Sequence, residues 1–102
     1  MPYSLRRTRD GAGDSGLMSL AIRPNAGPGD EHVYEHGARP SVGVVMMVGS
    51  ISGRTYAAQD YWQTTRITEI LEERRDEDGT EYVRFKTGNS EYEWKKFWWR
   101  LR

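Results

Sequence analysis

Cysteine is absent from this chain of 102 residues. That excludes disulfides, thiolate nucleophiles, iron–sulfur ligation and cysteine-bound zinc. Long apolar runs are missing as well. Apolar residues make up 36% of the chain, and the best β-branched run, Val42 to Val48, falls far short of the ~20 residues that cross a membrane as a helix. No G-x-x-x-x-G-K-[ST] or G-x-G-x-x-G phosphate loop is present, and Ser41, Ser50, Ser52 and Ser90 lie outside any G-x-S-x-G setting. With no nucleophile constellation, the expectation is a protein that is not an enzyme and needs no cofactor. Arg6, Arg7 and Arg9 imitate the basic start of a signal peptide. The apolar stretch after them, Leu17-Met18 resumed at Leu20-Ala21-Ile22, is too short and broken to be its apolar segment. The expected location is the cytoplasm, with no membrane partner.

Net charge is zero, but it is unevenly spread: +2 over residues 1–23, −6 over residues 24–81 and +4 over residues 82–102. A neutral chain argues against indiscriminate nucleic-acid binding, whereas a basic C-terminal fifth leaves a local basic surface open. Residues 1–40 contain Pro2, Pro24, Pro28 and Pro40 and six of the eleven glycines. Their apolar segments are short and without sustained period, so residues 1–40 read as a flexible arm unable to offset its ordering entropy. One segment stands apart: Leu17-Met18-Ser19-Leu20-Ala21-Ile22 could add a strand to an exposed edge or pair with a second subunit, giving a homo-oligomer by strand addition.

The domain proper is expected over residues 41–102. Val42 to Val48, ended by Gly49-Ser50, reads as a buried strand, and Ile51 to Tyr56 as its continuation after a bend. Arg66 to Arg74 mixes two signals. Ile67, Ile70 and Leu71 follow helical spacing, while Thr64, Thr65 and Thr68 favour strand. The turn-rich Asp76-Glu77-Asp78-Gly79 that follows decides for a strand over 65–74. Tyr82-Val83-Arg84-Phe85-Lys86-Thr87 alternates, placing Val83, Phe85 and Thr87 inward and Arg84 and Lys86 outward. After a second turn signal, Gly88-Asn89, Glu91-Tyr92-Glu93-Trp94-Lys95 alternates again. Phe97 to Arg102 could close the sheet as a strand or cross its mouth as a short helix. The fold expected is mainly β: a small antiparallel SH3-like or OB-like barrel of roughly four to five strands.

Two motifs suggest chemistry. His32-Val33-Tyr34-Glu35-His36 spells H-x-x-E-H, the string with which inverted zinc metallopeptidases set two histidine ligands on one helical face. Pro28-Gly29 before it and Gly37 with Pro40 after it leave about two turns of helix at best. Exposed loop histidines are therefore the stronger reading, with His32 and His36 as metal-ligand candidates and a zinc hydrolase as the lesser alternative. The acidic cluster from Glu69 to Asp78 brackets a hairpin turn, where solvation and pairing with Arg74 and Arg75 is the usual outcome.

The richest feature is the mixing of aromatics and cations in the last third. Tyr82, Phe85, Tyr92, Trp94, Phe97, Trp98 and Trp99 run among Arg84, Lys86, Lys95 and Lys96. At least three of these rings must build the core of so small a domain. The remainder predict a partner-binding face of Tyr82, Arg84, Lys86, Tyr92, Trp94, Lys96 and Trp98. Exposed rings beside cations suit a protein interface. They equally suit stacked bases and phosphates of a single-stranded nucleic acid. A third use, lying flat on a membrane surface, needs more than the eight residues from Lys95 to Arg102.

The stretch Thr65-Arg66-Ile67-Thr68-Glu69-Ile70-Leu71-Glu72-Glu73, followed by Val83-Arg84-Phe85-Lys86-Thr87-Gly88-Asn89-Ser90-Glu91-Tyr92, resembles a pattern in short phage and prokaryotic β proteins. In these a T-x-V/I-x-E-I-L strand precedes a V-x-F-x-T-x-N-S-x-Y hairpin. The resemblance implies the hairpin register and a phage or mobile-element origin, and the arginine-rich, lysine-poor composition agrees with a GC-rich genome. It implies no catalytic residue, and residues 1–40 lie outside it. The function expected from these readings is a non-enzymatic binding module with a protein partner. Single-stranded nucleic acid is the first alternative.

Overall fold

The computed structural model describes residues 2–50 and 61–97. Among these residues the chain forms nine strands: β1 (Tyr3–Arg7), β2 (Gly13–Gly16), β3 (Met18–Arg23), β4 (Val33–His36), β5 (Val45–Gly49), β6 (Tyr61–Gln63), β7 (Ile67–Arg75), β8 (Glu81–Thr87) and β9 (Glu91–Lys96). A single 3-10 turn lies at Pro28–Asp30, and the described residues contain no helix long and apolar enough to cross a membrane. The strands form two antiparallel sheets, one of five in the order β2-β1-β9-β8-β7 and one of four in the order β4-β3-β5-β6.

The C-terminal meander forms where turn chemistry and alternation agree. Gly79, at φ +88°, turns the chain between β7 and β8. Its amide donates to the Asp76 carbonyl at 2.9 Å, and the Thr80 amide donates to Asp78 Oδ1 at 2.9 Å. At Gly88–Ser90 the Thr87 amide donates to the Ser90 carbonyl at 2.8 Å. The strand expected over 65–74 is β7. Register shifts between Ile67 and Glu69 and between Ile70 and Glu72 bend and twist this outer strand, which blunts an open edge.

Cross-strand register places the core. Val83 lies opposite Trp94 and Phe85 opposite Tyr92, while Leu5 lies on the other side of Trp94. These residues line the inner face of the five-stranded sheet. Against them pack Ala21 of β3 and Met46 and Val48 of β5, which share register positions on the four-stranded sheet. Leu5, Met46, Val48, Phe85 and Trp94 are completely buried, each worth about 1.5–3 kcal/mol or more relative to exposure. Two side-chain hydrogen bonds tie the sheets together. Trp94 Nε1 donates to the buried Ser19 Oγ at 3.0 Å, and Trp62 Nε1 donates to Tyr92 Oη at 3.3 Å.

Several expectations need correction. Residues 1–40 do not hang free of the fold: they contribute β1 to β4, and Tyr3, Leu5, Ala21 and Ile22 are buried. The domain boundary expected at 40/41 is crossed by strand pairing, since β1 pairs with β9 and β3 pairs with β5. Some of the glycines that suggested disorder serve close packing instead. A Cβ at Gly13 would strike the Leu5 carbonyl, and one at Gly16 would strike the Gly49 backbone. Met18 to Ile22 of the expected segment fall in β3, hydrogen-bonded on both sides rather than added to an edge. Val42 is exposed and Gly43, at φ +92°, makes a turn, so the strand expected from Val42 starts at Val45. Ile51 to Tyr56 and Trp98 to Arg102 lie outside the described residues.

If β1 is part of the core, Leu5→Ala should lower unfolding stability by about 2–5 kcal/mol, read from the midpoint of urea denaturation. A loss below about 0.5 kcal/mol, as for an exposed position, would return residues 3–7 to a loose arm.

Candidate functional site

The residues expected to form one binding face are divided between the two faces of the five-stranded sheet. Tyr82, Arg84 and Lys86 point outward. There each meets cross-strand partners: Lys86 lies between Glu69 and Glu91, Arg84 between Glu72 and Glu93, and Tyr82 between Arg74 and Lys95. Arg84 contacts Glu91 at 3.2 Å and Glu72 at 3.7 Å. Arg74 bonds Glu72 at 2.6 Å and Asp76 at 3.0 Å. Opposite charges on adjacent strands stabilise a sheet face locally, and here they also neutralise it. Tyr82 is not an open ring: the Arg74 guanidinium lies 3.7 Å from its centroid and the Lys95 ammonium 6.0 Å, so only 6% of it is exposed. Burial first, then a hydrogen bond with Glu93, pushes its hydroxyl pKa up.

Tyr92 and Trp94 share a face with Lys96, as alternation requires, but that face is the inner one. Tyr92 stacks on Phe85 with centroids 5.6 Å apart, and Trp94 is fully buried. Both are core residues, which corrects their expected place on an exposed platform. Trp98 lies outside the described residues.

Lys96 belongs to something the sequence did not signal. One cross-strand row past the core, Arg75, Glu81, Lys96 and Tyr3 lie side by side on β7, β8, β9 and β1. The apolar inner face ends here in charge, at a cleft of about 320 Å³ lined by Arg75, Gly79, Glu81 and Lys96 of the five-stranded sheet and its β7–β8 turn. Arg39, from the segment after β4, reaches in and donates from Nε to Glu81 Oε1 at 2.7 Å. Arg75 approaches the same oxygen at 3.7 Å. The Glu81 side chain is only 13% exposed, against 45% for Arg39 and 65% for Arg75. Burial alone would raise the Glu81 pKa. The Arg39 hydrogen bond and the charges of Arg39, Lys96 and Arg75 outweigh it and hold the carboxyl below the ordinary range. Two arginines thus converge on one carboxylate, which also feels the charge of Lys96.

Gly37 closes this end. At φ +78° it brings the backbone so near that an added Cβ would lie 2.9 Å from Tyr3 Oη and 3.9 Å from Lys96 Nζ. Tyr3 also meets His36 edge-on at 5.8 Å. Burial and the Glu81 charge raise the Tyr3 pKa.

The H-x-x-E-H string takes no helical form. Val33–His36 is strand β4, so the two histidines do not stack on a helical face as that chemistry requires. His32 Nδ1 instead accepts the Asn25 amide at 3.2 Å. Among the described residues no three His, Asp or Glu side chains gather as a metal site. In the acidic hairpin Glu72 and Asp76 pair with Arg74, as the turn reading expected, whereas Arg75 turns to Glu81 and Arg84 takes a place beside Glu72.

No family model, curated protein or solved structure matches this chain.

The depressed Glu81 pKa has a definite sign. Its stabilising effect is present above the unfolded glutamate value of about 4.3 and is lost as pH falls through the lower folded value. Wild type should therefore lose more stability than Glu81→Gln on acidification from about pH 5 to 3, by up to about 1 kcal/mol for so accessible a pair. Parallel pH–stability curves would remove Glu81 as the pH-sensitive group.

Proposed function

We propose that this protein is a non-enzymatic binding module that holds an acidic segment of a protein partner in the cleft at Arg39, Arg75 and Lys96. The observation that supports this reading is the imbalance of charge there. Arg75 and Lys96 of the five-stranded sheet line a cleft of about 320 Å³ with a single carboxylate, Glu81, to which Arg39 from the segment after β4 also bonds. The cleft's size suits one or two side chains. The rest of the expected interface behaves differently. On the outer face Arg84 and Lys86 are matched by carboxylates across the strands, and such alternation repels a run of phosphates as much as it attracts one. A protein surface, with charges of both signs, fits it better than a nucleic-acid strand. In this reading Arg84 and Lys86 orient the partner and Lys96 anchors it.

The SH3-like or OB-like description is kept as the finer proposal for the fold. In its favour, only Leu17 separates β2, in one sheet, from β3, in the other, which is how a strand turns a corner between packed sheets.

Affinity capture from the native host tests the reading. A partner retained by wild type should be lost with Arg75→Gln/Lys96→Gln and largely kept with Arg84→Gln. Equal retention by the cleft variant would remove the cleft from the interface. Retention abolished by nuclease would give the partner as nucleic acid.

A further inference from the structure

The cleft's own geometry narrows the acidic group it takes. Resting on the reading above, we propose that the cleft recognises a phosphorylated serine or threonine of the partner, as a phosphate monoester dianion, in preference to an aspartate or glutamate.

Charge is the first argument. Among the described residues Glu81 is the carboxylate ion-paired with both Arg39 and Arg75, and it also feels the charge of Lys96. Three cations thus share this one acid, an excess of two positive charges. An entering carboxylate matches one of them. A phosphoryl group carries about −1.5 to −2 at pH 7 and matches both, with Glu81 still ionised in place. Removing a charge from water costs least where the site can neutralise it fully.

The second argument is the direction of the donors. Arg39 follows β4, Arg75 ends β7 and Lys96 ends β9, so the three approach from different elements. Glu81 Oε1 already receives Arg39 Nε at 2.7 Å and lies 3.7 Å from the Arg75 terminal nitrogen, marking where the arginines converge. A planar carboxylate offers two oxygens in one plane. A tetrahedral phosphoryl group offers three oxygens in three directions, one for each cation. Both guanidinium groups keep donors besides those aimed at Glu81, and arginine forks suit phosphate oxygens while lysine supplies a point charge. Arg39 and Arg75 are about half exposed or more, so an entering group reaches them without opening the core. Glu81 then acts as an internal stand-in: it holds the cations in place when no ligand is bound and repels a ligand whose own charge is too small to compensate.

The test uses three capped amino acids as probes, O-phosphoserine, O-sulfoserine and glutamate, added to the full-length protein at low salt and followed by amide chemical shifts. O-Sulfoserine has the tetrahedral shape of the phosphate ester but one charge, which separates geometry from charge. The phosphoserine probe is expected to shift Arg75, Gly79, Glu81 and Lys96 and to bind about tenfold or more tightly than either monoanion, the equivalent of one further charge-assisted hydrogen bond. Single Arg75→Gln and Lys96→Gln variants, both at accessible positions, should each weaken it. Glu81→Gln should narrow the gap between phosphoserine and glutamate by removing the internal carboxylate. Equal binding of all three probes would overturn the phosphate preference and leave the acidic-segment reading standing. No shift at the cleft with any probe would overturn both.

Discussion

The structure depends on burying one indole. Trp94 lies at the middle of the five-stranded sheet, flanked across the strands by Val83 and Leu5, with no surface left to solvent. Its ring covers apolar area that the C-terminal meander alone would leave wet, and its N–H needs an acceptor in the dry interior. Ser19 Oγ supplies that acceptor from the opposite sheet. A single residue thus obliges β1 to lie beside β9 and β3 to lie above it. Most of the remaining core, including Phe85, Tyr92, Met46 and Val48, fills in around that requirement.

This constraint separates what the sequence made legible from what it hid. Hairpin turns and period-two alternation are local signals, so β7, β8 and β9 were readable, as was the shared face of Tyr92, Trp94 and Lys96. On β8 alternation also put Val83, Phe85 and Thr87 inward, where they are buried. Which face of β9 was buried was not legible, because the acceptor that lets Trp94 be buried lies more than 70 residues away. The N-terminal strands were hidden for a related reason. β2 reads Gly-Asp-Ser-Gly, a composition that suits a loop, and its glycines are there to let backbones approach. The cleft was the least legible part. Arg39, Arg75 and Glu81 each resemble ordinary surface charge, and only strand register brings them together with Lys96.

The two faces of the five-stranded sheet handle charge differently. Outside, every expected binding cation has a carboxylate across the strand, so the field over that face is short-ranged. Inside, the apolar rows end at a polar row where cations outnumber acids. The aromatic and basic residues that crowd the C-terminal third therefore serve separate ends: rings hold the sheets together, and the lysine at the strand's end opens onto solvent.

The pairing of β1 with β9, in which Tyr3 lies opposite Lys96, has a consequence for how the molecule comes into being. β1 finds its neighbour in β9, with the other seven strands of the described residues between them in sequence. The five-stranded sheet cannot enclose Trp94 until β9 has been made, long after β1, and the loop that closes when it does holds strands β2 to β8. Such distant pairing is slow to nucleate. In the interval the early strands carry exposed edges among other nascent chains, so the short, glycine-bearing and arginine-rich character of residues 3–16 is also a safeguard during synthesis.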